Sequence, residues 1–284
     1  MKPALTIVKV GGAVVEDEQQ LARLLQDFCA IKGAKILVHG GGRRATKMAE
    51  RLGIETKMVN GRRITDADML EVVTMVYGGL VNKNVVARLQ ALGCDAIGLT
   101  GADANIILSH RRPPVIVPVN DGSAAPVKQS ANDSSAVDGF PVDYGFVGDV
   151  DKVANDHLAR LIDAGLTPVI APLTHDGQGH ILNTNADTMA SETAKAMATA
   201  GYDVTLIYAF EKPGVLRNPD DDASVIATIS HADFETYKAD GTISGGMLPK
   251  IENALAATDA GVKRVIITQA TAIDGQHGTV ISEE

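Results

Sequence analysis

Short apolar runs alternate along this chain with longer segments whose apolar residues recur at helical spacing. Residues 5–10, LTIVKV, form a β-branched apolar run closed by Gly11 and Gly12, the pattern of a buried strand entering a glycine turn. Residues 17–30 follow with Leu21, Leu24, Leu25 and Phe28 on one helical face, and Gly33 ends that segment before a second apolar run at 35–38. The unit then repeats: HGGG at 39–42, a helix to about Leu52, helices across 67–92 and a strand at 96–99. After Gly101 the alternation fails. Residues 111–143 are rich in Pro, Ser, Asp, Asn and Gly around one apolar run at 115–119, and are read as a long inserted flap on a hairpin. Alternation resumes with helix 155–164, strand 167–171, helix 186–200, strand 204–209, helices 231–239 and 247–260, and strand 264–268. Strands alternating with helices predict an α/β fold, a three-layer αβα sandwich whose central sheet is mainly parallel and covered on both faces.

Composition narrows the function classes. With 284 residues, 45% hydrophobic and 21% charged, the chain can bury a substantial core and is not disordered over most of its length. The net charge of −9 suits neither a nucleic-acid backbone nor an anionic membrane, so an anionic ligand must be caught by local cations. The N-terminal apolar run is too short for a signal peptide, and no apolar stretch reaches the roughly 18 residues of a membrane span. Cys29 and Cys94 sit in unrelated surroundings with no CxxC and no metal-ligand spacing, for which a reducing cytoplasm is the simpler setting.

Glycines that follow strands and open helices leave backbone N–H groups free to meet anions, and two such turns occur, Lys9-Val10-Gly11-Gly12 and His39-Gly40-Gly41-Gly42. Either alone could be only a tight turn. Lys9 lies inside its strand, where a buried ammonium needs an anionic partner. Gly40-x-Gly42-x-x-Ala45 fits a loose dinucleotide fingerprint but lacks the acidic residue about 20 positions on, and no GxxxxGK[ST] phosphate loop is present. Asn183-Thr184-Asn185-Ala186-Asp187 separates a strand from a helix, a place where Asn and Asp often merely cap. Ser244-Gly245-Gly246-Met247-Leu248-Pro249-Lys250 joins a glycine turn to a helix start with a lysine one turn inside, and a solvated lysine is the plain alternative there.

As an ordered set, VKVGG at 8–12, HGGG at 39–42, NGRRIT at 60–65, GDV at 148–150, NTNAD at 183–187 and GGMLPK at 245–250 are specific. By them the chain resembles the amino acid kinase family over essentially all its length apart from the flap. The resemblance implies one kinase domain over 1–284. Its N-lobe, about 1–170 with the flap at 111–143, would bind an acylated glutamate and dimerise; its C-lobe, about 171–284, would bind ATP. The implied reaction moves the γ-phosphoryl of ATP to the side-chain carboxylate of N-acetyl-L-glutamate, a step of arginine biosynthesis. A carboxylate at neutral pH is already a nucleophile, so catalysis reduces to alignment and charge neutralisation. By resemblance Lys9 and Lys250 flank the transferring group and Asp187 holds both. Gly11, Gly12, Gly41 and Gly42 would lend N–H groups, Arg63 would clamp the substrate α-carboxylate with Asn183 beside it, and Arg62 would lie at the surface. Gly11, Gly12, Glu211 and Gly245 are expected on ATP. Mg2+ would be held mainly by the nucleotide phosphates, with no protein metal site, and the expected partners are small molecules.

Two departures stand out. LIYAFEKPGVL places Glu211 where the family commonly has the Asp of a Ser-Asp or Thr-Asp pair, and the flap is longer than expected. Only eight residues precede Lys9, whereas arginine-regulated relatives carry an extra N-terminal helix, so a homodimer insensitive to arginine is expected. Aspartate, carbamate and uridylate kinases fit the motifs less well. The remaining alternatives are an N-succinyl-L-glutamate kinase, a catalytically silent nucleotide-binding regulator, and a nicotinamide-dependent oxidoreductase resting on the glycine pattern alone.

Overall fold

The computed structural model describes residues 2–59, 61–118 and 139–282. Local chemistry starts its helices where the sequence suggests. Asp17, for example, accepts from the backbone N–H groups of Gln19 and Gln20 at 3.0 and 2.9 Å and so fixes the beginning of the second helix.

The chain opens with β1 (Ala4–Val10), α1 (Gly12–Glu16), α2 (Glu18–Ala30), β2 (Ala34–His39) and α3 (Gly42–Arg51). A short hairpin, β3 (Met58–Val59) with β4 (Arg62–Arg63), leads to α4 (Ala67–Val73), a π-helical turn over Thr74–Val81, α5 (Asn82–Ala91) and β5 (Ala96–Leu99). An antiparallel excursion follows: β6 (Ile107–Arg111), β7 (Val115–Pro118), β8 (Gly139–Val142) and β9 (Gly148–Val153). Then come α6 (Asn155–Asp163), β10 (Thr167–Ile170), β11 (Leu173–His175), β12 (Ile181–Asn183) and α7 (Ala186–Thr199). The remainder is β13 (Asp203–Phe210), β14 (Thr228–Ile229), α8 (His231–Ala239), α9 (Leu248–Asp259), β15 (Arg264–Gln269) and β16 (Thr279–Ile281).

Eight strands form the central sheet in the order β14-β16-β15-β13-β1-β2-β10-β5, parallel at every described pairing except β15 with β16. The two-residue period of the strands sorts their side chains into two cores. Leu5, Ile7, Ile36, Val38 and Leu206 pack with residues of α6, α7 and α9. Val8, Val10, Leu37 and Ile207 pack with α2 to α5. This is the αβα sandwich expected. The same parity sends Lys9 and Phe210 toward the α7–α9 layer and His39 toward α5, and this decides what each can touch.

A second sheet, β12-β11-β6-β9, falls outside the sequence expectation. Its strands are short, and partly exposed positions interrupt their apolar runs, so neither period is expressed. β7 and β8 pair antiparallel, which places the flap on a hairpin as expected; residues 119–138 lie outside the described residues. The root of that hairpin is tied down by Arg112, which binds Asp149 through Nε at 3.0 and 3.1 Å, and by Arg111 on Asp143 at 3.2 Å.

One expectation is corrected here. Cys29 on α2 and Cys94 after α5 are not in unrelated surroundings, because packing of the two helices brings the thiols near enough for each to feel the other. Burial, and then Cys94 itself, push the Cys29 thiol pKa up. Both cysteines are free, and Cys94 Sγ donates onward to Thr167 Oγ1 at 3.5 Å.

Candidate active site

Two glycine turns meet at the carboxyl ends of adjacent strands β1 and β2. A Cβ on Gly40 would lie 2.9 Å from the backbone N of Gly12, so only glycine lets the turns approach this closely. A Cβ on Gly12 would sit 3.5 Å from Gly41 N and 3.6 Å from Gly42 N, the space into which those groups open. Gly12 and Gly42 begin helices, and N–H groups at a helix start lack an intrahelical acceptor. Two cavities lie against this wall, one of about 220 Å³ toward α7 and one of about 410 Å³ toward α9. Lys9 and Gly40, Gly41 and Gly42 line both.

Lys9 is 6% exposed, and its buried ammonium has the anionic partner it requires: Nζ lies 2.5 Å from Asp187 Oδ1. Asp187 stands in the first turn of α7, where the helix dipole favours a carboxylate. The NTNAD segment divides its labour. Asn185 is the cap, accepting from the N–H groups of Asp187 and Thr188 at 2.8 and 3.0 Å, and this leaves the Asp187 side chain for Lys9. Lys250, in the first turn of α9, reaches the same place. Its Nζ is 3.9 Å from the centroid of the Phe210 ring, and Lys9 Nζ is 4.8 Å from the same centroid. Burial depresses the Lys250 pKa; the Asp187 charge opposes that shift and the Lys9 charge adds to it. The two ammonium groups and the carboxylate therefore share one site.

Phe210 was missed by sequence reasoning. Its signal was strand parity, since Leu206, Tyr208 and Phe210 occupy alternate positions of β13 on the sheet face that Lys9 uses. The ring lies parallel to that of Tyr208 with centroids 6.2 Å apart.

Arg63, Asn183 and Asp187 line the smaller cavity. Hairpin β3–β4 delivers Arg63, which is 8% exposed; Nη2 donates to Gly42 O at 2.9 Å and Thr46 Oγ1 at 2.8 Å, and Nη1 reaches Thr56 Oγ1 at 3.3 Å. Asn183 Nδ2 donates to Thr65 Oγ1 at 2.9 Å, which fixes that amide at the end of β12. Arg62 is not at the surface as expected. It is half-buried and lines the same cavity, and burial, followed by repulsion from Arg112, lowers its pKa. In a two-residue strand, parity predicts opposite faces, yet both arginines line the cavity together with Met58 and Gly61 of the same hairpin.

Gly11, Gly12, Glu211 and Lys250 line the larger cavity. The expectation for Gly11 needs correction. Its N–H donates to Ala209 O at 3.0 Å, extending the β1–β13 pairing, so Gly11 supplies shape and no free donor. Glu211 faces Arg43 at 3.7 Å with 58% of its side chain exposed, although its charge is felt at Lys250. Gly245 lies off the wall of this cavity, in the left-handed region (φ 55°) of the turn that brings Met247 to it. Among the described residues no three or more His, Cys, Asp or Glu side chains gather as a metal site.

Known proteins resemble the chain over its whole length. It is 59% identical over 283 residues to the acetylglutamate kinase of Bacteroides thetaiotaomicron, covering 100% of both chains. It is 36% identical to that of Methanopyrus kandleri over 277 residues, 98% of this chain and 100% of the other. Among solved structures, smu.665 from Streptococcus mutans superposes with a TM-score of 0.72 at 25% identity, over 99% of each chain. N-acetylglutamate synthase from Neisseria gonorrhoeae shares the fold with a TM-score of 0.75 at 21% identity, over 100% of this chain and 60% of that one. Residues 4–269 match the amino acid kinase family, and the chain belongs to that family.

Proposed function

We infer that this protein transfers the γ-phosphoryl group of ATP to the side-chain carboxylate of N-acetyl-L-glutamate, giving N-acetyl-L-glutamyl 5-phosphate and ADP. The observation that carries the reading is the placement of Lys9 on the wall common to two cavities, with Lys250 and Asp187 at the same point. The acylglutamate would occupy the cavity lined by Arg63 and Asn183, and ATP the cavity lined by Gly12, Glu211 and Lys250. A carboxylate oxygen attacks phosphorus as the bond to the ADP oxygen breaks, and no proton moves. Lys9 and Lys250 offset the charge on the transferring group, while Asp187 keeps Lys9 in place before substrate arrives. Mg2+ arriving on the phosphates would neutralise part of their charge, and Glu211 is the carboxylate lining that cavity.

The named relatives favour the acetyl substrate over N-succinyl-L-glutamate. Two lysines converging between the cavities favour a kinase over a silent nucleotide-binding regulator, which needs no charge at a transfer point. We read the protein as a cytoplasmic homodimer acting on small molecules. Met75 and Leu80, exposed on the π-helical turn, support a subunit contact there, and none of the described helices is long and apolar enough to cross a membrane. A coupled ADP-release assay with trapping of the acyl phosphate by hydroxylamine tests the activity, with N-acetyl- and N-succinyl-L-glutamate compared in parallel. ATP- and acetylglutamate-dependent hydroxamate is the expected product; turnover of neither substrate refutes the reading. Light scattering tests the dimer.

A further inference from the structure

His39 ends β2 fully buried, on the sheet face that meets α5. Its Nδ1 lies 2.8 Å from Gly40 O, and a carbonyl oxygen only accepts, so Nδ1 carries the proton. Its Nε2 lies 3.1 Å from Asn82 Nδ2, which also donates to Val169 O at 2.9 Å, while Asn82 Oδ1 accepts from Lys83 Nζ at 3.2 Å. The amide therefore presents its nitrogen to the ring, and Nε2 must accept. Both ring nitrogens are satisfied only in the neutral Nδ1–H tautomer. Burial holds the ring in that uncharged form, taking its pKa down to about 4.

The consequence falls on the glycine turn. Three consecutive glycines have wide backbone freedom, yet both polar groups of Gly40 are held, its N–H by Val10 O at 3.0 Å and its carbonyl by His39. The Gly40–Gly41 peptide is planar and trans, so the Gly41 N–H points opposite to the Gly40 carbonyl. Pinning one aims the other. Beside Gly42 N–H, that donor opens onto the wall shared by the two cavities. We propose that His39 is a positioning residue for phosphoryl transfer: donating from Nδ1 to Gly40 O, it fixes the Gly41 N–H toward the transferring group. The role rests on the kinase reading above.

Asparagine places an amide donor near the position of Nδ1, whereas glutamine places one near Nε2 and keeps more of the ring's volume. His39→Asn is expected to retain kcat within about 3-fold of the parent despite the lower Tm of the pair. His39→Gln is expected to lose kcat by about 10- to 100-fold with both KM values within about 3-fold, less than the loss on deleting an oxyanion donor outright. A purely structural role would make activity follow Tm. Equal kcat in His39→Gln and the parent, or kcat falling in the order of Tm, overturns the proposal. A second measurement needs no variant: nitrogen NMR of the histidine-labelled parent should show Nδ1 protonated and Nε2 bare, unchanged from about pH 6 to 9. A proton on Nε2 in an active parent refutes this role alone, whereas a parent without turnover refutes the kinase reading and this role with it.

Discussion

Lys9 and Lys250 carry the same charge into the same site, yet the protein holds them in opposite ways. Lys9 projects from the central strand of the sheet, is 6% exposed and is locked to a carboxylate 2.5 Å away. Lys250 rides on the first turn of a peripheral helix, half-buried, with an aromatic face 3.9 Å from its Nζ and a lowered pKa. One cation is neutralised before any ligand arrives. The other is left short of negative charge, which a nucleotide phosphate would supply. On the proposed assignment of the cavities, the site would join a prebuilt half on the acylglutamate side to a half completed by ATP.

Substituting each lysine separates the halves most strongly. Lys9→Ala should lower kcat by about 10³-fold and strand Asp187, a carboxylate 14% exposed whose lost partner destabilises the fold by up to about 3 kcal/mol. Lys250→Ala should lower kcat by about 10²- to 10³-fold but change stability by less than about 1 kcal/mol, because it removes a partly desolvated charge. Urea denaturation beside steady-state kinetics reads both, and equal stability losses would erase the distinction.

Arg63→Ala tests whether the cavities are separate in function. The KM for N-acetyl-L-glutamate should rise about 10- to 100-fold while that for ATP stays within about 3-fold. Equal rises would show that the wall between the cavities, where Arg63 holds Gly42 O, had itself moved.

The Lys250 pKa lies below its ordinary 10.5, with burial the leading cause. The ammonium therefore loses its proton at a lower pH than an exposed lysine does, and kcat/KM for ATP, which reports the free enzyme, should fall on an alkaline limb below 10.5. Lys250→Arg should move that limb upward, since guanidinium keeps its proton. The sign for stability is the reverse: the cost of burying the charge is relieved as pH rises through the lowered value.

The smallest effect is expected at Glu211, whose side chain is 58% exposed and 3.7 Å from Arg43. Glu211→Ala should change the KM for ATP by less than about 3-fold. A tenfold rise would place its carboxylate on the nucleotide and make the second half as prebuilt as the first.

The sequence by itself determined what is local and periodic. The alternating strands and helices, the helix start at Asp17, the two glycine turns, and the place of Lys9 inside its strand all follow from patterns within a few residues. So does the motif order that carries the family resemblance. The tertiary structure alone decided the contacts between distant segments. It set Phe210 beneath both lysines, spent the Gly11 N–H on Ala209, turned Arg62 inward and brought Cys29 to Cys94. Strand and helix periods assign a side chain to a face. Which segment packs against that face is fixed by burial and pairing across the whole sheet, and no local window of sequence contains that information.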